Sequence, residues 1–414
     1  MLAAALAPAC TVLLRREIEQ CGGDGDCAKL GDFACDAAEG VCVARGSSAD
    51  YEALPALVDA DRTLTADREY LLKNVVVVKP GVTLTIDPGV VLHGDYASKG
   101  ALVVARGAKI VARGRRDAPV VFTSSQPAAE RRPGDWGGVF VFGRARANRV
   151  GDGQPNEDFV DDLEAGEYNR YGGTGDELDD ADDSGVLSYV RIEYGGTLPL
   201  DDVDALVFGG VGSGTTVDHV QVRMAADDCF QFSGGTVRAS HLACQSPGEV
   251  GVNWNHGYRG KMQFVVVQSG ADARSDNARG VSGSNDEFDA YTEPLSEPTI
   301  ANVTLCGPRR DAPPEQIGVL FGDATGADLS KFIVTGYRVG VDVESKLDLA
   351  QNPELVARMV FRESLFFGNT DQNVAYPETG TMAPLGVNND LGFPDAEWWR
   401  GEPPFGAAND ANVE

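Results

Sequence analysis

The chain predicts an all-β solenoid, one strand-and-corner unit wound into stacked coils, and three observations predict it. First, five segments repeat one short strand pattern: Ala205-Leu206-Val207-Phe208-Gly209-Gly210, Cys229-Phe230-Gln231-Phe232-Ser233-Gly234, Gly251-Val252-Asn253-Trp254-Asn255-His256, Gly280-Val281-Ser282-Gly283-Ser284-Asn285 and Gly318-Val319-Leu320-Phe321-Gly322-Asp323. Their starts lie 24, 22, 29 and 38 residues apart, a period near 22 that absorbs insertions by looping them outward. Second, each is followed by another short strand, at 218–223, 240–244, 263–268, 302–306 and 331–335. Third, 50 glycines and 21 prolines with 43% hydrophobic residues favour turns and a sizeable core over long helices.

The same texture begins near Thr63. Val75-Val76-Val77-Val78, Val82-Thr83-Leu84-Thr85-Ile86 and Val90-Val91-Leu92 are separated by Lys79-Pro80-Gly81 and Asp87-Pro88-Gly89, and Pro-Gly pairs mark turns. Ala101 to Ala105, Lys109 to Ala112 and Val120 to Thr123 continue it. Strands of three to five residues with frequent corners fit a coil with three faces. A β-sandwich needs longer strands and hairpin turns such as Asn-Gly, which hardly occur between paired runs. Gly209 to Thr216 has the glycines of a nucleotide loop but no helix pattern after it, so it reads as a tight corner.

Lys79 to Ser124, together with Asp135-Trp136-Gly137-Gly138-Val139, resembles the right-handed parallel β-helix proteins of bacterial cell surfaces, the pectate-lyase-like solenoids. The resemblance spans roughly Thr63 to Gly368 and implies a right-handed parallel β-helix. It does not imply one function, since the fold hosts lyases, hydrolases, adhesins and scaffolds.

Four parts are expected: residues 1–9, a cysteine-rich module at 10–50, the β-helix at 51–368 and a tail at 369–414. The apolar, small-residue run ending at Ala9-Cys10 resembles the end of a bacterial lipoprotein signal, which implies a lipid on Cys10. Cys21, Cys27, Cys35 and Cys42 sit among glycines and aspartates that bury little, so two disulfides are expected, with three connectivities open. Zinc is disfavoured by their spacing and by the lack of a nearby histidine. Cys244 reads as a small core residue able to pair with Cys229. These features imply an extracytoplasmic protein, an outer-membrane lipoprotein or cell-surface protein of a Gram-negative bacterium, touching the membrane only through its lipid.

A formal net charge of −28 argues against nucleic acid as a partner and permits divalent cations. An acidic insertion at about 144–184 interrupts the coils, and loops of that length are functional or disordered.

Aligning the five strands gives two inward rows: Leu206, Phe230, Val252, Val281 and Val319, and Phe208, Phe232, Trp254 and Phe321. Between and beside them Gln231, Ser233, Asn253, Asn255, Ser282 and Ser284 face outward, amides and hydroxyls suited to carbohydrate. Asp227-Asp228, His256-Gly257, Arg259 and Lys261 resemble the polygalacturonase pattern, which implies Asp227, Asp228 and His256 as catalytic groups of a hydrolase. Asn255 replaces that pattern's first glycine, its Arg-x-Lys comes early, and no upstream aspartate stands out. For Ca2+, which prefers six to eight oxygens, the candidates are Asp176 to Asp183, Asp201, Asp202 and Asp204 beside Asp227 and Asp228, and Asp286, Glu287 and Asp289. The expected role is non-catalytic binding, adhesion or display toward a glycan or cell-surface protein, with a polysaccharide hydrolase or lyase as the alternative.

Overall fold

The computed structural model describes residues 21–27, 33–36, 41–44, 51–151, 154–155, 157–159, 163, 166–199, 203–270, 278–286, 288–308, 316–343, 359–369 and 372–374. Cys10, Asp201, Asp202, Glu287 and nearly all of the tail lie outside them. The body is a parallel β-helix. Its first face is an eleven-stranded sheet running from Leu57–Val58 to Gln372–Val374, every strand parallel to the next. The register matches the sequence columns: Leu206 pairs with Phe230, Val252, Val281 and Val319 in turn.

The other two faces are separate only in the early coils. Thr83–Ile86 and Lys109–Arg113 form one, Val91–Gly94 and Val120–Ser124 the other. Gly185–Glu193 then pairs with both, and six coils from there carry one eight- or nine-residue strand where two short ones were expected, before Met359–Arg362 and Leu365–Phe367 separate again. The expectation of three short strands per coil is corrected on this point. The bend survives inside the long strand as a single left-handed residue, repeated coil after coil at Tyr189, His219, His241, Phe264, Asn302 and Lys331, with φ between 50° and 60°. A one-residue kink turns the chain without breaking the flanking ladders.

The two inward rows are buried and form one continuous core with the inward residues of the long strands. Each such side chain contributes about 1.5–3 kcal/mol by leaving water. Trp254 breaks the regular stacking. Its indole occupies the space of the next coil's side chain, so that position is Gly283, and its Nε1 donates to Thr325 Oγ1 at 2.9 Å. Cys244 is buried and bonded to Cys229, and the N-terminal module holds Cys21–Cys35 and Cys27–Cys42. That module packs on Val121, and Arg191 donates to the Cys42 carbonyl.

The acidic insertion is built rather than loose. Its described parts include a small four-stranded sheet, with Glu157–Phe159 antiparallel to Arg170–Gly172. Tyr171 and Leu163 cover Phe140, Phe142 and Val207 on the outer side of the first sheet. Its return passes so close to the corner after Gly209 that a Cβ on Gly212 would lie 2.3 Å from the Asp182 nitrogen, which is why that corner is glycine-rich.

A Cβ on Gly283 would lie 2.1 Å from Trp254 Cζ2. Gly283→Ala is therefore expected to lower the unfolding free energy by about 1–3 kcal/mol, the usual cost of overpacking. Gly283→Ala combined with Trp254→Leu recovers part of that loss in urea titrations, because the smaller side chain vacates the space.

Candidate functional site

Stacked coils put residues of equal register about 4.8 Å apart. Because Leu206 pairs with Phe230, the residues two positions earlier, Asp204 and Asp228, fall in register too. They are joined by a hydrogen bond, with Asp227 alongside, and one ligand oxygen from each of the three lies within 4.8 Å of the others. Asp228 is buried, its Oδ1 accepting from the Val250 nitrogen and its Oδ2 from Asn253 Nδ2, both at 2.8 Å. Asp204 and Asp227 are partly exposed.

Such crowding is costly for three negative charges. Burial, reinforced by the Asp227 charge, pushes the Asp204 carboxyl up to about 8. Burial and the Asp204 charge likewise hold Asp228 well above the ordinary carboxylate range, against the opposing bonds from Asn253 and Val250. At neutral pH the cluster therefore retains a proton beside the Asp227 charge. A carboxylic acid next to a carboxylate is the raw material of acid–base catalysis.

Asn253 leads from this cluster onto the polar column. Gln231 Nε2 donates to both Ser233 Oγ and Asn255 Oδ1 at 2.9 Å. Gln231, Ser233 and Ser282 are buried, whereas Asn253, Asn255 and Ser284 are partly exposed. The expectation that the whole column faces open solvent is corrected. The insertion crosses it: Asn148 Nδ2 donates to Asn285 Oδ1 at 2.8 Å, and a Cβ on Gly234 would meet Ala147. His256 lies past the far end of the strand Val250–Asn255, about 10 Å along from Asn253. Its Nδ1 lies 3.0 Å from the Tyr171 hydroxyl of the insertion, so it stands apart from the carboxyl group of residues.

The other expected metal ligands are spread out. Asp180 pairs with Arg259, Asp183 with Lys109, and Asp182 accepts from Ser184. Asp286 pairs with Arg149 at 3.3 Å and accepts from the Phe288 and Asp289 nitrogens, and Asp289 Oδ1 accepts from the Tyr291 nitrogen. Although burial opposes it, these bonds hold the Asp286 carboxyl below its usual value. Among the described residues, the expected cluster of Asp204 with Asp227 and Asp228 gathers carboxyls around one point. Asp204 precedes Ala205 as Asp228 precedes Cys229, which is why the two align.

A cavity of about 380 Å³ lies elsewhere, beneath the insertion at the opposite end of these strands, lined by Lys79, Arg106, Arg144 and Arg170 with Glu167 and Glu177.

Comparison with known proteins bears on the winding of the chain. Residues 56–383 match the pectate-lyase like beta helix domain. A solved structure, the catalytic unit of a thermostable GH87 alpha-1,3-glucanase from Streptomyces thermodiastaticus strain HF3-3, is similar at 11% identity and a TM-score of 0.29, over 76% of this chain and 59% of that one. No curated protein matches in sequence. The domain match spans most of the chain and coincides with the in-register coils, and the protein belongs to the pectate-lyase-like β-helix family.

Proposed function

We propose that the protein acts on a polysaccharide and hydrolyses its glycosidic bonds with Asp204, Asp227 and Asp228. The observation that carries this reading is the three-carboxyl cluster on successive coils, part protonated at neutral pH, at the head of a strip of amides and hydroxyls. Glycoside hydrolysis needs an acid to protonate the departing oxygen and a carboxylate to activate water or stabilise the developing cation. Asp204 or Asp228 carries the shared proton and is the acid. Asp227, partly exposed and charged, is the base. Asn253 holds Asp228 in place and, with Asn255 and Ser284, offers donors and acceptors to sugar hydroxyls. The disulfides support a site of action outside the cytoplasm, where such glycans occur.

Release of reducing ends from a panel of soluble polysaccharides tests this. Asp227→Asn and Asp228→Asn are each expected to lower the rate at least about 100-fold, the lower end of acid–base contributions, while retaining glycan affinity. Wild-type protein that binds a glycan but releases no reducing ends would establish display without catalysis, and an undiminished rate in Asp227→Asn and Asp228→Asn would remove the chemistry from these carboxyls.

A second reading rests on the same three oxygens, which also suit Ca2+. The two separate in their response to pH. The folded Asp204 carboxyl titrates near 8 and the free one near 3.8, so the folded chain holds the extra proton between those values. Stability accordingly falls as pH rises through that window, by at most about 1.4 kcal/mol per pH unit. Asp204→Asn removes the titration. Its melting temperature is expected to exceed that of the wild type most at pH 9 and least at pH 5, with chelator making no difference. If Ca2+ fills the site, chelator lowers the wild-type melting temperature and Asp204→Asn is destabilising instead.

A further inference from the structure

The left-handed corner of the long strands carries a second cluster, on a different face from the carboxyls. Two of the chain's four histidines, His219 and His241, occupy this corner in consecutive coils. Their rings stack at 4.2 Å with planes 15° apart, and Tyr189 and Phe264, the corner residues on either side, extend the stack at 4.3 and 4.9 Å. The flanking rings limit how far either imidazole can turn.

Both imidazoles aim the same nitrogen at one carboxylate. His219 Nδ1 lies 2.7 Å from Asp218 Oδ2 and His241 Nδ1 2.9 Å from Asp218 Oδ1, while Ser240 Oγ donates to Oδ1 at 2.6 Å. Elsewhere along the column the residue before the corner is Ser188, Ser240, Gln263, Ala301 or Ser330. A carboxylate and two imidazoles therefore meet at one place. The side chains of Asp218, His219 and His241 remain 32%, 37% and 27% exposed, open enough for an ion to enter.

We propose that Asp218, His219 and His241 bind one divalent transition-metal ion of the zinc or copper class, with water completing its coordination. Ligand atoms of the three lie within 4.8 Å of one another, so small side-chain shifts bring them to the edges, about 2.9–3.3 Å, of a site with bonds near 2.0–2.1 Å. Imidazole with carboxylate selects zinc, copper or nickel over calcium and magnesium. In the free state each Nδ1–H donates to Asp218. On binding, the ring proton moves to Nε2 and the Nδ1 lone pair turns to the metal, so each imidazole stays neutral.

Zn2+ alone, titrated calorimetrically into the intact chain in a non-coordinating buffer, tests the site, with Co2+ as a spectroscopic probe. Asn tolerates a left-handed corner, so His219→Asn and His241→Asn keep the backbone, and far-UV circular dichroism checks the fold. Wild type is expected to take one Zn2+, with each histidine variant and Asp218→Asn weakening it at least tenfold and abolishing the visible Co2+ bands. Asp204→Asn/Asp227→Asn, which alters the other cluster, leaves binding unchanged. The proposal is overturned if His219→Asn/His241→Asn binds Zn2+ as tightly as wild type, if wild type binds none, or if the Asp204 and Asp227 changes abolish binding.

Discussion

Parallel in-register pairing governs this molecule. Once Leu206 is set against Phe230, and Phe230 against Val252, every residue is committed to a neighbour of equal register about 4.8 Å above and below. A column of apolar residues turns that constraint into core. A column of like charges turns it into a liability that something must relieve. Asp204 and Asp228 are such a column, and the relief is a proton held far above the ordinary range for a carboxyl. The unusual acidity is thus a consequence of winding, obtained without a special loop.

The same constraint acts on the outer corner with a different result. Each coil must turn there, and a left-handed residue makes the turn. Aromatic side chains at successive corners have nowhere to go but onto one another, which gives the stack from Tyr189 to Phe264. Stacking like with like is favourable for rings and unfavourable for charges. Asp218 lies beside the two imidazoles and supplies the negative charge that would balance them if either were protonated.

Which of these features could be read beforehand follows from how each is encoded. The inward rows are written in residue type, large and apolar at alternate positions, and aligning five segments recovers their register. Asp204 was legible as one aspartate of an acidic run beside Asp227 and Asp228, but its pairing with Asp228 falls two residues before Leu206, outside the repeated motif, and the proton it holds has no mark in residue type. His219 and His241 were hidden for another reason. The corner residue interrupts the two-residue alternation, so a strand scanned from Asp218 or Ser240 loses the residues before it, Thr216–Arg223 and Arg238–Gln245 being the true extents. The insertion's path is the least legible part. Its contacts, Tyr171 with His256 and Asn148 with Asn285, join positions 85 and 137 residues apart, and no local pattern encodes such a pairing.

That path changes what the polar column can do. Gln231, Ser233 and Ser282 spend their hydrogen bonds or their exposure beneath the insertion, so they fix the floor of the site rather than meet a ligand. Reach toward a ligand falls to the partly exposed Asn253 and Asn255 and to the carboxyl end of the strip. Asn253 joins the two, because the amide that would touch a sugar also donates to Asp228. Any ligand competing for that amide would withdraw a bond that favours the charged form of Asp228, and so would raise the affinity of the cluster for its proton. Binding on the strip and acidity at its head are therefore coupled through a single side chain, in the direction that keeps an acid protonated while substrate is bound.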